Sequence, residues 1–219
     1  MRRLATLLLI LACAEVMAQG IKYLPANINM RGKQTMYPAL SGDGKTMIFL
    51  SNYTNDGDLS VMISTYQSGR WQTFDELPNI GPESVNNLGG YSMSNDGQMI
   101  LFSSKRPNGV GAYDLWYMTK SGSSWNRPLN FGTPVNSSGH EGNPTISPDG
   151  QRIYFMRCTS ITREGSSGCK LYYTDRNYMP GQRPWKDPVE LPAKLNQGDT
   201  QSPRIMSDNR TLIFSSNRP

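Results

Sequence analysis

Pro144 to Phe155 reads PTISPDGQRIYF: a short apolar strand, a Ser-Pro-Asp-Gly turn, and a second strand closing on an aromatic. The same plan recurs as PALSGDGKTMIF at Pro38 to Phe49, YSMSNDGQMILF at Tyr91 to Phe102 and PRIMSDNRTLIF at Pro203 to Phe214. The closing phenylalanines Phe49, Phe102, Phe155 and Phe214 stand 53, 53 and 59 residues apart. Self-similarity at a period of about 50 residues is the mark of a propeller or an array. The chain is therefore expected to be all-β, a β-propeller of four-stranded antiparallel blades, incomplete here at about three and a half blades.

Within the first repeat the strands are expected near Tyr37 to Leu40, Thr46 to Ser51, Leu59 to Ser64 and Trp71 to Phe74. Asp side chains close tight turns onto their own backbone, and the residue five before each phenylalanine is expected at positive φ. It is Gly44, Gly97 or Gly150 in the first three copies and Asn209 in the fourth. Repeats are placed near 37–88, 89–142, 143–201 and 202–219. The stretch from Ile21 to Pro38 echoes Val189 to Pro203, and its start, 21–28 with Lys22 to Leu24, reads as a ring-closing strand that would remove an exposed sheet edge. Trp71, Trp125 and Trp185 recur at corresponding positions, as aromatics that pack neighbouring blades do.

Residues 1–18 stand apart from this pattern. Arg2 and Arg3 precede an apolar core from Leu4 to Ala12, and Val16-Met17-Ala18 offers a small-residue cleavage site, which together read as a secretory signal peptide. A second reading takes Ile10-Leu11-Ala12-Cys13 as a lipobox that leaves Cys13 lipidated. No other apolar run reaches the length of a membrane span, so no transmembrane span is expected. Loss of two Arg and one Glu with the signal takes the net charge from +5 to +4. That mild excess, without Lys/Arg clusters interleaved with aromatics, argues against nucleic-acid binding. Export also leaves Cys158 and Cys169 near the ends of one hairpin loop, and an oxidising compartment favours a disulfide between them.

The copies resemble TolB-type WD-like propeller repeats. The resemblance rests on PTISPDGQRIYF for the turn, Phe102-Ser103-Ser104 for the middle, and Asp114-Leu115-Trp116-Tyr117 for the third strand. The repeats here are longer than that family's, and Asn209 stands where it has Gly. Similar exported proteins often continue into an OmpA-like peptidoglycan-binding domain. The resemblance thus implies a periplasmic or outer-membrane-associated protein, alternatively a secreted or cell-surface one. Its implied partners are other envelope proteins, with peptidoglycan or another glycan reached through a further domain.

Loops leading into strand one and joining strands two and three should open on one face of the ring. That face would carry Lys105, Arg106, His140, Glu141, Asn143, Arg163 and Asp199, a mixed-charge set suited to docking a partner. Catalytic residues are not expected within these residues. His140 is the single histidine, no Gly-x-Ser-x-Gly elbow occurs, and HEGN lacks the second histidine of a zinc-protease helix. The recurrent Asp43, Asp96, Asp149 and Asp208 sit too far apart to act as paired carboxylates. Asn52 to Asp58, NYTNDGD, is richer in turn signals than in metal-ligand order, so neither metal nor cofactor is expected. The leading functional expectation is a non-enzymatic exported scaffold for protein–protein interaction at the cell envelope. The alternative is the propeller portion of a secreted peptidase or polysaccharide lyase, which such propellers also resemble.

Overall fold

A computed structural model describes residues 23–53, 58–85, 90–162 and 164–218. Residues 1–18, expected as a signal peptide and containing Cys13, together with Lys22, Arg163 and the centre of Asn52 to Asp58, lie outside the described residues. Apart from a single 3-10 turn at Pro82–Ser84, the regular structure among the described residues is strand. None of their helices is long and apolar enough to cross a membrane.

The first blade contains β1 (Thr35–Leu40), β2 (Thr46–Ser51) and β3 (Ser60–Gln67), with an outer strand in two pieces, β4 (Arg70–Trp71) and β5 (Asp75–Glu76). The second repeats this with β6 (Ser92–Met93), β7 (Met99–Ser104), β8 (Asp114–Ser121), β9 (Ser124–Trp125) and β10 (Leu129–Asn130). In the third, β11 (His140–Ile146) and β12 (Arg152–Cys158) precede a small inserted hairpin, β13 (Ser160–Ile161) and β14 (Ser166–Ser167). Then β15 (Lys170–Asp175) and β16 (Val189–Glu190) complete that sheet, and β17 (Thr200–Ile205) pairs with β18 (Leu212–Ser216) in the fourth. Pairing between these strands is antiparallel, in chain order from inner to outer strand within each blade, and an isolated parallel bridge joins Tyr113 to His140.

These are consecutive blades of a β-propeller, as the repeat predicts. The second strand is the spine of each. In β2, Met47 and Phe49 face one side while Ile48 and Leu50 face the other, and all four are buried. A strand covered on both faces loses the alternation of a surface sheet and reads as a continuous apolar run. Ile48 and Leu50 pack with Ile100 and Phe102 of the next blade. Leu101 and Leu115 pack with Ile153 and Phe155, and Met156 with Leu212 and Phe214. Trp125 and Trp185 are buried in the first two of these interfaces, the packing role expected of them. Emptying one such site, as Phe102→Ala would, removes about 3–5 kcal/mol.

The turns follow the sequence reading closely. Gly44, Gly97 and Gly150 have φ of 67, 67 and 70°, and Asn209 substitutes at 57°. In each of the first three turns a serine hydroxyl and a backbone N–H both donate to the Asp carboxylate, as Ser147 (2.5 Å) and Gln151 (2.9 Å) do to Asp149.

One expectation needed correction. The outer strand of blade one does not run through Trp71 to Phe74. It breaks after Trp71, because the Gln72 carbonyl is taken by the Ser64 hydroxyl (2.8 Å) and the amide of Asn27 reaches the carbonyls of both Trp71 and Gln72 (3.0 and 3.2 Å). Tyr23 and Leu24 lie outside the strands of the described residues, and Lys22 of the expected ring-closing strand is not among those residues. Ile28, fully buried, packs with Leu24 against Met47, Phe49 and Met62 and covers the outer side of blade one.

Close to the inner strands the blades approach backbone to backbone. A Cβ on Gly90 would lie 2.6 Å from the Asn143 Cα, so only glycine fits there. Arg204 of β17 extends a guanidinium nitrogen to the carbonyls of Tyr91 (3.2 Å) and Pro144 (3.3 Å), joining three blades.

Candidate functional site

Three of the inner strands, β1, β11 and β17, carry a kink. Tyr37, Asn143 and Ser202 take φ of 54, 49 and 51°, and the register slips beside each of them. An L residue at positive φ is strained, and such bulges re-aim side chains at the rim of a sheet. Here the kinks bring Asn143 and Ser202 together, the Asn143 carboxamide donating to the Ser202 hydroxyl at 3.2 Å. A cleft of about 610 Å³ opens above this pair, walled by Lys105, Tyr113 and the inserted hairpin, with Met156 in its lining. Residues from loops entering strand one and from loops joining strands two and three thus line one cleft.

The hairpin owes its position to three ties. Cys158 and Cys169, both buried, form the expected disulfide across a separation of 11 residues. The Ser166 hydroxyl donates to the Gln201 side chain at 2.9 Å. The Cys169 N–H donates to the Asp199 carboxylate at 2.8 Å. A Ser/Gly-rich segment that would otherwise sample many conformations is held as a wall between blades three and four.

Of the expected face residues, Lys105 and Asn143 line the cleft, beside the exposed Glu164 of the hairpin. The Lys105 ammonium lies 4.3 Å from the centre of the Tyr113 ring, and that ring also meets His140 at 5.9 Å. Partial burial, helped by the Lys105 charge, holds the His140 imidazole below its ordinary pKa. The His140 Nδ1 is closed to solvent and has no partner among the described residues. Asp199 is committed to the hairpin and to the Asn217 amide.

Glu141 and Arg106 are placed differently from the expectation. Glu141 is fully buried: its carboxylate accepts from Arg157 at 2.7 Å and from the Ser137 hydroxyl at 2.6 Å. Burial nonetheless raises its pKa, with Ser137 and Arg157 opposing. A group so enclosed cannot meet a partner. Arg106 turns inward to donate to the Ile80 carbonyl, with its guanidinium over the Trp116 ring at 5.2 Å, leaving its side chain 14% exposed. Its cation is partly spent on packing.

Sequence reasoning missed two asparagines that position the site from beneath. Asn136 exchanges hydrogen bonds with the N–H and C=O of Leu115, and Asn196 does the same with Leu171, at 2.8 and 3.0 Å in both cases. The signal was present as Val135-Asn136 and Leu195-Asn196, 60 residues apart.

Among the described residues the cleft offers amides, hydroxyls, the Lys105 cation and the Glu164 anion beside apolar Met156 and Ile161. No serine, threonine or cysteine side chain among the described residues is hydrogen-bonded to His140. Among the described residues no three His, Cys, Asp or Glu side chains are grouped to hold a metal.

No protein family's sequence profile matches the chain. A sequence relative does. The chain is 25% identical over 194 residues to a probable dipeptidyl-peptidase 5 of Aspergillus niger, covering 83% of this chain and 24% of that protein. The chain thus spans about a quarter of the relative's length. Among solved structures it is similar to an oligogalacturonate lyase from Vibrio parahaemolyticus, at 13% identity and a TM-score of 0.48, covering 83% of this chain and 45% of that one. It is also similar to the β-propeller domain of the Trilobed protease from Pyrococcus furiosus, at 13% identity and a TM-score of 0.39, covering 73% and 43%. The expectation of a non-enzymatic protein is corrected by the peptidase relative, whose similarity runs through most of the chain. The repeats had concealed it, because recurrence reports the scaffold and not what the scaffold serves.

Proposed function

We propose that these residues are the propeller portion of a peptidase-type hydrolase, with the cleft above Asn143 and Ser202 as a contact for a peptide. The observation that carries this is the 25% identity over 194 residues to the dipeptidyl-peptidase. The cleft suits the assignment: it is largely polar, built from loops on a rigid scaffold, and stiffened by a disulfide. A Ser–His–Asp arrangement would need a histidine other than His140, whose ring is packed against Tyr113. The reacting groups would therefore come from other residues of the enzyme.

The TolB-type character of the turns and export to the periplasm belong to the same proposal. The buried disulfide supports an oxidising compartment. The test is hydrolysis of chromogenic dipeptidyl substrates by the product of the whole gene. Release of the dipeptide, abolished by an active-serine phosphonate, is the expected result. A whole-gene product with no hydrolytic activity on peptides of any length would overturn the reading.

A further inference from the structure

A second concavity, of about 500 Å³, lies beside the outer strand of blade two, between Asn79, Arg106 and the segment Arg127 to Asn130. It differs from the first in charge: its lining holds two arginines and no carboxylate. The carboxylate paired with Arg106 is Glu83, at 4.0 Å, too distant for a full hydrogen bond. Arg127 is exposed and makes no ion pair among the described residues.

A separate observation falls on the same place. Trp116, which lines the concavity, is 6% exposed, and its indole N–H has no acceptor among the described residues. A buried donor left unpaired costs about 1–3 kcal/mol, a deficit that an incoming acceptor removes. The Arg106 guanidinium lies over the Trp116 ring, 5.2 Å from its centre, so the cation and the unpaired indole N–H share this concavity. The remaining wall is apolar, with Pro107, Pro128 and Leu129, the last 53% exposed.

We propose that this concavity binds an organic carboxylate carried on an apolar body, the carboxylate between Arg106 and Arg127 and the apolar part against Leu129. Guanidinium forks match planar carboxylates in two parallel hydrogen bonds. The site stands apart from the peptidase reading, since it lies in this chain's own blade and needs no reaction.

Tryptophan fluorescence of the purified protein, titrated with N-acetyl-leucine, its amide and inorganic phosphate, tests it. A saturable change with the acid is expected, with the amide and phosphate each weaker by about tenfold or more, the scale of one charged hydrogen bond. Arg127→Gln, an exposed position, should weaken the acid about tenfold without altering the thermal midpoint. Trp116→Phe should remove the fluorescence change. No saturable response to the acid, equal binding of the amide, or an unaltered Arg127→Gln variant would each overturn the site. Phosphate binding as tightly as the acid would overturn the assignment to an organic carboxylate.

Discussion

Asp149 shows how far a single side chain reaches in this molecule. Its carboxylate gathers the Ser147 hydroxyl, the Gln151 N–H and, from the next blade, the Asn209 amide at 2.7 Å. The hydrogen bond from Ser147 is the main cause holding its pKa below the ordinary value, and Asp43 and Asp96 are lowered in the same way by Ser41 and Ser94. Asp208 is lowered chiefly by Thr211. A carboxylate with a depressed pKa adds stability above the unfolded-state value and loses it as pH falls through the folded one. Unfolding followed by circular dichroism should therefore show stability dropping below about pH 4, and Asp149→Ala should cost about 1 kcal/mol at neutral pH and flatten that drop. These turns were legible because every partner but one lies within a few residues. Glu141 was not, since its burial depends on Arg157 in the facing strand, and nothing in HEGN announces that pair. The two basic residues of the loop separate by experiment. Lys105→Met should raise the His140 pKa in an NMR titration, removing a repelling charge, with stability unchanged. Arg106→Ala should cost about 1–3 kcal/mol in denaturant unfolding by stripping a buried cation–π contact and a carbonyl hydrogen bond.

Among the elements, second strands were read to the residue in blade one because an apolar run between two turn signals has few alternatives. Outer strands were not. They are two residues long, and their ends are set by side chains from elsewhere, such as Asn27 and Ser64. The inserted hairpin of blade three departs from the repeat, and it walls the cleft. Replacing both Cys158 and Cys169 by serine should lower stability by about 3 kcal/mol in the chain-entropy view. Proteolysis should then cut within 159–168 first, while the neighbouring ladders β11–β12 and β12–β15 stay intact. Unchanged cleavage there would mean that the Ser166 and Asp199 hydrogen bonds hold the hairpin without help.

For the whole molecule, the four-fold repeat was enough to name the architecture, because a blade cannot bury both faces of its second strand alone. Function did not follow from it. What distinguishes this propeller lies in departures from the repeat: the disulfide hairpin, the Asn143–Ser202 pair, and an arginine pair beside Trp116. The stacking of blades also sets a gradient of protection. Ile48 and Leu101 are fully buried, whereas Ile213 at the matching position of β18 is 55% exposed. Native-state hydrogen exchange read by mass spectrometry tests this stacking most directly, since local opening follows buried contact. Amides of 46–51, 99–104 and 152–158 should exchange slowest and together, with 212–216 faster. Protection confined to one of the three spines, or equal in all four, would contradict a row of blades that cover one another.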